Sequence, residues 1–391
     1  MKNTLERKVL YGALKNINKI ITNNDTVVTL QFYGTYLSIR TSFNDNVLEL
    51  KMPILGGDEF VFNCRFSDLF TYVGITTYDS MDVLLREDRS IVIKGQDLDE
   101  GYIFKSLSED CVVLPNVTEI CSMNVSSKSA LNVLNKAIFC VDPANNKEEF
   151  NCLRLFKGSL SGVSVTKGFV CDVKDLSVDA SCCATISSLE SLVKLLRSYK
   201  EDLSVSLVRK NMENKDSFLD TLIEDNDIFE LDERCDWILI SSTYYNLYLK
   251  TVSREILDME QVLSGVDANS KFSLDIDLLK DIYKKYKHVG LGDKDTLLVL
   301  EPGVNSEFVN YTVIAKNNFI DQGKLEKFVT LFGSFKKTIL NAKDLKLIID
   351  NSSSSKETLD VNVNYKENVF IFNTGSTKIL ISYPKDLTSN S

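Results

Sequence analysis

One unit of helix and strands recurs three times along the chain, and this recurrence limits the fold more than any single motif does. Segment 4–22, TLERKVLYGALKNINKIIT, has helical spacing, with Val9, Leu10, Ala13, Leu14, Ile17, Ile20 and Ile21 on one face. Alternating runs follow, VVTLQFYG, TYLSIRTSF and NVLELKMPI, and then EFVFNCRFSDLFTYVGIT reads as a strand entering a short helix. The strands SMDVLLRED, SIVIKGQ and GYIFKSLS close the unit. The order returns at 123, with helix SSKSALNVLNKAIF, strands FNCLRLFKG and LSGVSVTKGFVCDV, and a strand and helix in ASCCATISSLESLVKLLRSY. A third copy starts near 271, with helix DIDLLKDIYKKYKHV, strand and helix FKKTILNAKDLKLIID, and a terminal strand in TKILISYPKDL.

The leading helices are expected to begin near residues 4, 126 and 274. Two helices and many alternating strands per copy predict an α+β fold of three like domains, at 1–121, 122–265 and 266–391, with helices on one face of antiparallel sheets. The middle copy is lengthened by an acidic stretch at 209–236, read as a loop or added lobe.

Composition removes several classes of function. With one histidine, His288, at the end of a lysine-bearing helix, the chain has no material for a multi-histidine metal centre or a His-based triad. GLGDKD at 290–295 lacks both phosphate-loop patterns, and no pair of carboxylates stands out, so neither an enzyme nor a cofactor is expected. Nine cysteines are scattered without a C-x-x-C pair and read as reduced, mostly buried thiols. Adjacent Cys182 and Cys183 would point to opposite faces of a strand, which makes them poor joint ligands. No apolar run approaches a membrane span, and the N-terminus lacks the features of a signal peptide, so a cytoplasmic protein is expected.

Net charge is −10, which by itself argues against nucleic acid. The distribution argues otherwise. Lys8, Lys15 and Lys19 share one stripe of the first leading helix, opposite its apolar face. Lys128, Asn132 and Lys136 do so in the second, and Lys280, Lys284 and Lys287 in the third. The second helices add Lys194 and Arg197, with Glu190 and Glu201 beside them, and Lys343 and Lys346. Any one such stripe is the ordinary polar side of an amphipathic helix. Three in an acidic protein predict a shared surface for a long, regular anion, double-stranded DNA, held without sequence readout.

The whole chain resembles the bacterial sliding clamp family, the DNA polymerase III beta subunits. The match is carried by FVFNCRFSDLFTYVG, MDVLLREDRSIVIKG and the linker SEDCVVLPNV in the first copy. LRLFKGSLSGVSVTKGFVCDV and YNLYLKTVSREILDMEQVL carry it in the second, and ILNAKDLKLIID and ILISYPKDL in the third. The resemblance implies three similar domains, helices inside and sheets outside, closing as a head-to-tail homodimer around DNA. Implied partners are a replicative polymerase, a clamp loader and other proteins with a clamp-binding motif, and nucleoid association follows.

The resemblance also implies an apolar docking pocket between the second and third domains. It places Thr166, Gly168, Phe169 and Val170 there from a loop, Leu257 and Val262 from the next linker, and Ile381, Tyr383, Pro384, Lys385 and Leu387 from the tail. Read from the residues alone, Phe169, Val170 and Ile381 are core positions and Gly168 a turn glycine. Two departures mark a diverged member: the family's loop Asp-Gly-His-Arg-Leu is Lys167-Gly168-Phe169-Val170-Cys171 here, and four residues follow the usual terminal leucine. The competing reading is a β-rich structural or virion protein with no DNA role.

Overall fold

The computed structural model describes residues 1–21, 23, 25–96, 98, 100–107, 111–138, 140, 141, 147, 150–156, 158–173, 182–211, 235–252, 258–288, 296–304, 308–314, 320–325, 327–352 and 358–383. These fall into two compact units, Met1–Leu134 with Val178–Ser253, and Asn135–Ser177 with Arg254–Ser391.

In the first unit, β1 (Lys2–Glu6) passes directly into α1 (Arg7–Asn18), followed by β2 (Val27–Tyr33), β3 (Tyr36–Phe43), β4 (Asn46–Pro53) and β5 (Glu59–Arg65). α2 (Phe66–Ile75), β6 (Ser80–Leu85), β7 (Ile91–Gly95) and β8 (Tyr102–Phe104) come next, then β9 (Val117–Val125) leading to α3 (Ser127–Ile138). The unit resumes with β13 (Cys182–Thr185), α4 (Ile186–Ser198), β14 (Leu203–Lys210), β15 (Trp237–Ser241) and β16 (Tyr245–Lys250). One sheet runs β5-β2-β3-β4-β16-β15-β14-β9, and a smaller one β1-β6-β7-β8.

The second unit holds β10 (Cys152–Phe156), β11 (Ser159–Val163), β12 (Lys167–Asp172), α5 (Met259–Gly265), β17 (Ser270–Asp275) and α6 (Ile276–His288). It continues with β18 (Leu297–Pro302), β19 (Val309–Ile314), β20 (Ile320–Leu325), β21 (Val329–Phe332) and β22 (Thr338–Asn341). α7 (Ala342–Asn351), β23 (Thr358–Asn364), β24 (Val369–Asn373) and β25 (Thr377–Ser382) complete it. Its strands run β10-β11-β12-β25-β24-β23-β17-β21 and, separately, β20-β19-β18-β22. Neighbouring strands pair antiparallel, as the α+β reading requires.

Strands turn into helices without a loop because the last strand residue serves as the helix N-cap. Glu6, Arg65, Thr185 and Asn341 are all extended, and Thr185 and Asn341 also accept a hydrogen bond from an amide in the first turn. Leu10, Ala13, Leu14 and Ile17 of α1 are buried, as the wheel required, whereas Val9 is 39% exposed. The first helix starts at Arg7 rather than near residue 4, because Lys2–Glu6 pair with β6 and bury Asn3 and Leu5. Fully burying each leucine or isoleucine among them contributes roughly 1.5–3 kcal/mol. The acidic stretch is shorter than 209–236, since Arg209 and Lys210 finish β14, and residues 212–234 lie outside the described set.

Repeats share sheets. β4 of the first copy pairs with β16 of the second, Tyr245 opposite Leu50, and β12 of the second pairs with β25 of the third, Lys167 opposite Ile381. At the first seam Glu49, 3% exposed, accepts from Ser38 Oγ at 2.6 Å and Asn246 Nδ2 at 2.8 Å and lies 3.4 Å from Arg40 Nε. The terminal apolar run is therefore a central strand, flanked by β12 and β24. Ile379 and Ile381 are apolar because both are buried.

β1 is tied down by Asp82, whose Oδ1 accepts from Thr4 Oγ1 at 2.7 Å and whose Oδ2 lies 2.8 Å from Lys2 Nζ. Burial works against the charged carboxylate, but the hydrogen bonds from Lys2 and Thr4 and the Lys2 charge outweigh it, holding Asp82 below the usual carboxylate range. A depressed folded-state pKa stabilises above the unfolded value, and that stability is lost as pH falls through the folded one. Asp82→Asn should therefore cost about 1–3 kcal/mol at neutral pH. In urea titrations the gap between variant and wild type should be complete above about pH 5 and shrink below about pH 4.

Candidate functional site

Two surfaces stand out. The first is cationic. α1 carries Arg7, Lys8 and Lys15 with no acid in its twelve residues, and Lys8 and Lys15 are exposed. Lys19, which caps α1, donates to Asn16 Oδ1 at 3.0 Å and to Ser198 Oγ at 2.9 Å, so it joins α1 to the end of α4. There Arg197 is exposed and Lys194 half-buried. Lys8 Nζ lies 3.7 Å from Asp79, both side chains largely exposed. Lys128 of α3 is also exposed; in the second unit, taken by itself, Lys136 is half-buried and Lys343 is exposed on α7.

The third leading helix differs from its sequence reading. Lys280 lies 2.9 Å from Asp277 and Lys284 3.1 Å from Asp281, each three residues upstream and so on the same side. Lys285 reaches Asp321 at 3.5 Å. The α6 stripe is thus compensated by its own carboxylates, and Lys280 holds Asp277 below the usual carboxylate range. Lys287 belongs to α6, with its side chain outside the described set.

The second surface is the face of the second unit's sheet that carries α5. Directly opposed residues in an antiparallel ladder share a face. The registers therefore place Arg154, Phe156, Ser159, Ser161, Val163, Gly168 and Val170 on one side together. Met259 of α5 is 1% exposed and forms an apolar cluster with Val163 and Val170, joined by the half-buried Val262, Leu263 and Phe150. Beside the cluster an open cleft of about 120 Å³ is lined by Arg154, Phe156, Ser159, Ser161, Asp258 and Glu260. The Arg154 guanidinium lies 4.7 Å from the Phe156 ring centroid and 3.9 Å from Asp258. Asp258 also caps α5, accepting from the amides of Glu260 at 2.9 Å and Gln261 at 3.3 Å.

The predicted pocket residues divide between the two faces. Gly168, Val170 and Val262 meet around Met259, and Thr166 is exposed at the strand end. Phe169 and Ile381 point the other way and are buried at 0% and 1% exposure, so they pack the interior and present no surface. The physical reason is the two-residue period of a strand, which sends Phe169 and Val170 to opposite sides. Tyr383 lies on the Phe169 side, where its hydroxyl donates to Asp344 Oδ2 of α7 at 2.8 Å. Burial, and then the Asp344 carboxylate, push this phenol well above its ordinary range. Leu257, Pro384, Lys385 and Leu387 lie outside the described residues.

Sequence reading missed Arg154, Phe156, Asp258 and Met259. The alternation in LRLFKGSLSGV, and the aspartate opening DMEQVL as a helix cap, were the available signals.

Among the described residues no group of three or more His, Cys, Asp and Glu side chains could hold a metal, and no helix is long and apolar enough to cross a membrane. Seven cysteines are buried, with Cys111 exposed and Cys121 between.

No protein-family model matches the chain, and no curated protein matches it by sequence. Solved structures do match, and they define a fold: that of the DNA polymerase III beta subunits, the sliding clamps. The DNA polymerase III beta subunit of Pseudomonas aeruginosa superposes with a TM-score of 0.72 at 12% identity, covering 98% of this chain and 99% of that one. The beta subunit from the DNA polymerase of Streptococcus pyogenes gives 0.71 at 12% identity, with the same coverage. The Helicobacter pylori beta clamp bound to a DNA ligase peptide gives 0.70 at 14% identity, covering 98% and 99%.

A β-carbon on Gly168 would collide with the end of the Met259 side chain. Gly168→Ala should lower stability by about 1 kcal/mol or less, because the far end of a flexible methionine can turn aside. Combined with Met259→Ala, it should cost clearly less than the sum of the two single changes in chemical denaturation, because the collision is gone.

Proposed function

We propose that the chain is a diverged sliding clamp, a non-catalytic processivity factor. Two copies close into a ring around duplex DNA and tether a replicative polymerase, a clamp loader and other partners. The observation that carries this reading is the clamp fold over 98% of the chain at full-length coverage of each neighbour. The three sequence repeats would be three domains, at 1–121, 122–265 and 266–391, with their helices lining the opening. Cytoplasmic, nucleoid-associated action follows from the role.

A ring that slides needs many weak contacts blind to sequence, and lysines as point charges suit this better than arginine forks that read bases. The acid-free α1 and its neighbour α4 would do most of this work. Lys280 and Lys284, already paired to Asp277 and Asp281, would do less. Ring closure would use sheet edges: β8 ends its sheet with Tyr102 51% and Ile103 48% exposed, and β20 ends another. An unpaired edge of this kind is a template for a second chain. A head-to-tail pair joining β8 of one copy to β20 of the other satisfies both.

The docking site would be the α5 face, from Arg154 to Val262, next to the loop at Thr166 and the end of β25. A partner tail with aliphatic or aromatic anchors fits the half-buried rim of the cluster, Val262, Leu263 and Phe150, beside Phe156 in the cleft. The Helicobacter pylori clamp bound to a DNA ligase peptide supports a peptide-docking role for this fold.

Retention on DNA tests the reading. The protein, loaded by its cognate loader, should remain on nicked circular DNA through a salt wash and leave once that DNA is cut. Retention that ignores DNA topology would exclude a ring. Lys15→Ala with Lys19→Ala should reduce retention more than Lys280→Ala with Lys284→Ala. Removing one lysine that neutralises a phosphate should lower the salt slope of DNA binding by about 0.9.

A further inference from the structure

Lys167, Asp344 and Tyr383 come from three segments that share no hairpin, yet they meet on the α7 side of the sheet. Lys167 Nζ lies 2.6 Å from Asp344 Oδ1, and the Asp344 side chain is 1% exposed. Its other oxygen accepts from the Tyr383 hydroxyl at 2.8 Å and from Asn341 Nδ2 at 2.6 Å.

Two ordinary explanations leave most of this cluster unaccounted for. Helix capping explains Asn341 and Asp344, since Asn341 Oδ1 accepts the Asp344 amide at 2.8 Å and the carboxylate answers in return. It does not call for Lys167 or Tyr383. Sheet cohesion does not call for them either, because β12 and β25 already pair from Lys167–Ile381 to Cys171–Thr377. A buried ion pair is a poor adhesive, as its desolvation offsets most of its attraction and apolar replacements are often at least as stable.

What the ladder leaves open is how the chain departs from its end. Beyond Ile381, the Ser382 amide donates to Thr166 O at 2.8 Å and the Tyr383 amide to Asn368 O at 3.1 Å. The Tyr383 ring stands edge-on to Phe370 at 5.9 Å and 72°. Its hydroxyl reaches the same carboxylate that grips Lys167, the residue next to Thr166. One buried anion therefore holds both sides of the sheet's open end, the loop before β12 and the chain after β25.

We propose that Asp344 is a positioning residue, whose carboxylate sets the loop at Ser164–Lys167 and the chain at Ser382–Tyr383 in one fixed arrangement and so presets the partner-docking face. The effect on docking rests on the clamp reading; the fixing of loop and chain end does not.

The test is amide hydrogen exchange on the full chain, with wild type, Tyr383→Phe, Lys167→Met and Lys167→Arg compared. The Ser382 and Tyr383 amides should exchange at least tenfold faster in Tyr383→Phe and Lys167→Met, while Phe370 to Phe372 keep their protection. Lys167→Arg, which restores the cation, should recover most of the loss. A fluorescein-labelled pentapeptide ending in Leu-Phe should bind about tenfold more weakly in the same two variants. Unchanged exchange at Ser382 and Tyr383 would overturn the proposal. So would protection lost evenly through β24, which would make the cluster a stability element only. A wild type that ignores the peptide while exchange follows the expected order would overturn the docking reading and leave the positioning role standing.

Discussion

The structure depends on a backbone constraint: strand edges must be paired, and here the repeats pair each other's. A repeat left to itself would expose a row of unmet amide and carbonyl groups. β4 takes β16 and β12 takes β25, which extends short sheets into long ones. Each seam is marked by a buried carboxylate, Glu49 beside the first and Asp344 beside the second, each with a cation and neutral donors around it. Each of these buried charges is held by a nearby cation and by neutral donors, and such networks fix one arrangement among several that apolar packing alone would permit.

The second seam also sets the chemistry of the α5 face. Once β12 lies between β11 and β25, its even-numbered residues face α5 and its odd-numbered ones face α7. Gly168 leaves room for Met259, and Lys167 reaches Asp344 from the other side. Neighbouring residues of one short strand thus pack against two helices, α5 on one side and α7 on the other.

Much of this was legible in the sequence. The triple recurrence of helix and strands, the antiparallel α+β class, and helices near 126 and 274 follow from periodicity, and α3 and α6 begin at Ser127 and Ile276. Strand partners were not legible, because alternation gives a residue's face but never its neighbour. For that reason the position of the terminal run ILIS, between β12 and β24, does not follow from its alternation. The resemblance puts Phe169 and Ile381 at a pocket, whereas their own apolar character favours the interior, where both are buried. Short-range charge pairing is legible in the sequence, since Asp277 and Asp281 precede Lys280 and Lys284 by three residues. Arg154 and Met259 become a site only through tertiary contacts, which no local pattern encodes.

The proposed ring requires helix-borne cations from all three repeats to face one enclosed opening. Cryo-electron microscopy of the purified protein tests it most directly. The account predicts a closed annulus of two copies, with α1, α4 and α6 lining the hole and the long sheets outside. Open chains, or an annulus with Lys15, Lys19 and Lys194 on its outer rim, would contradict it.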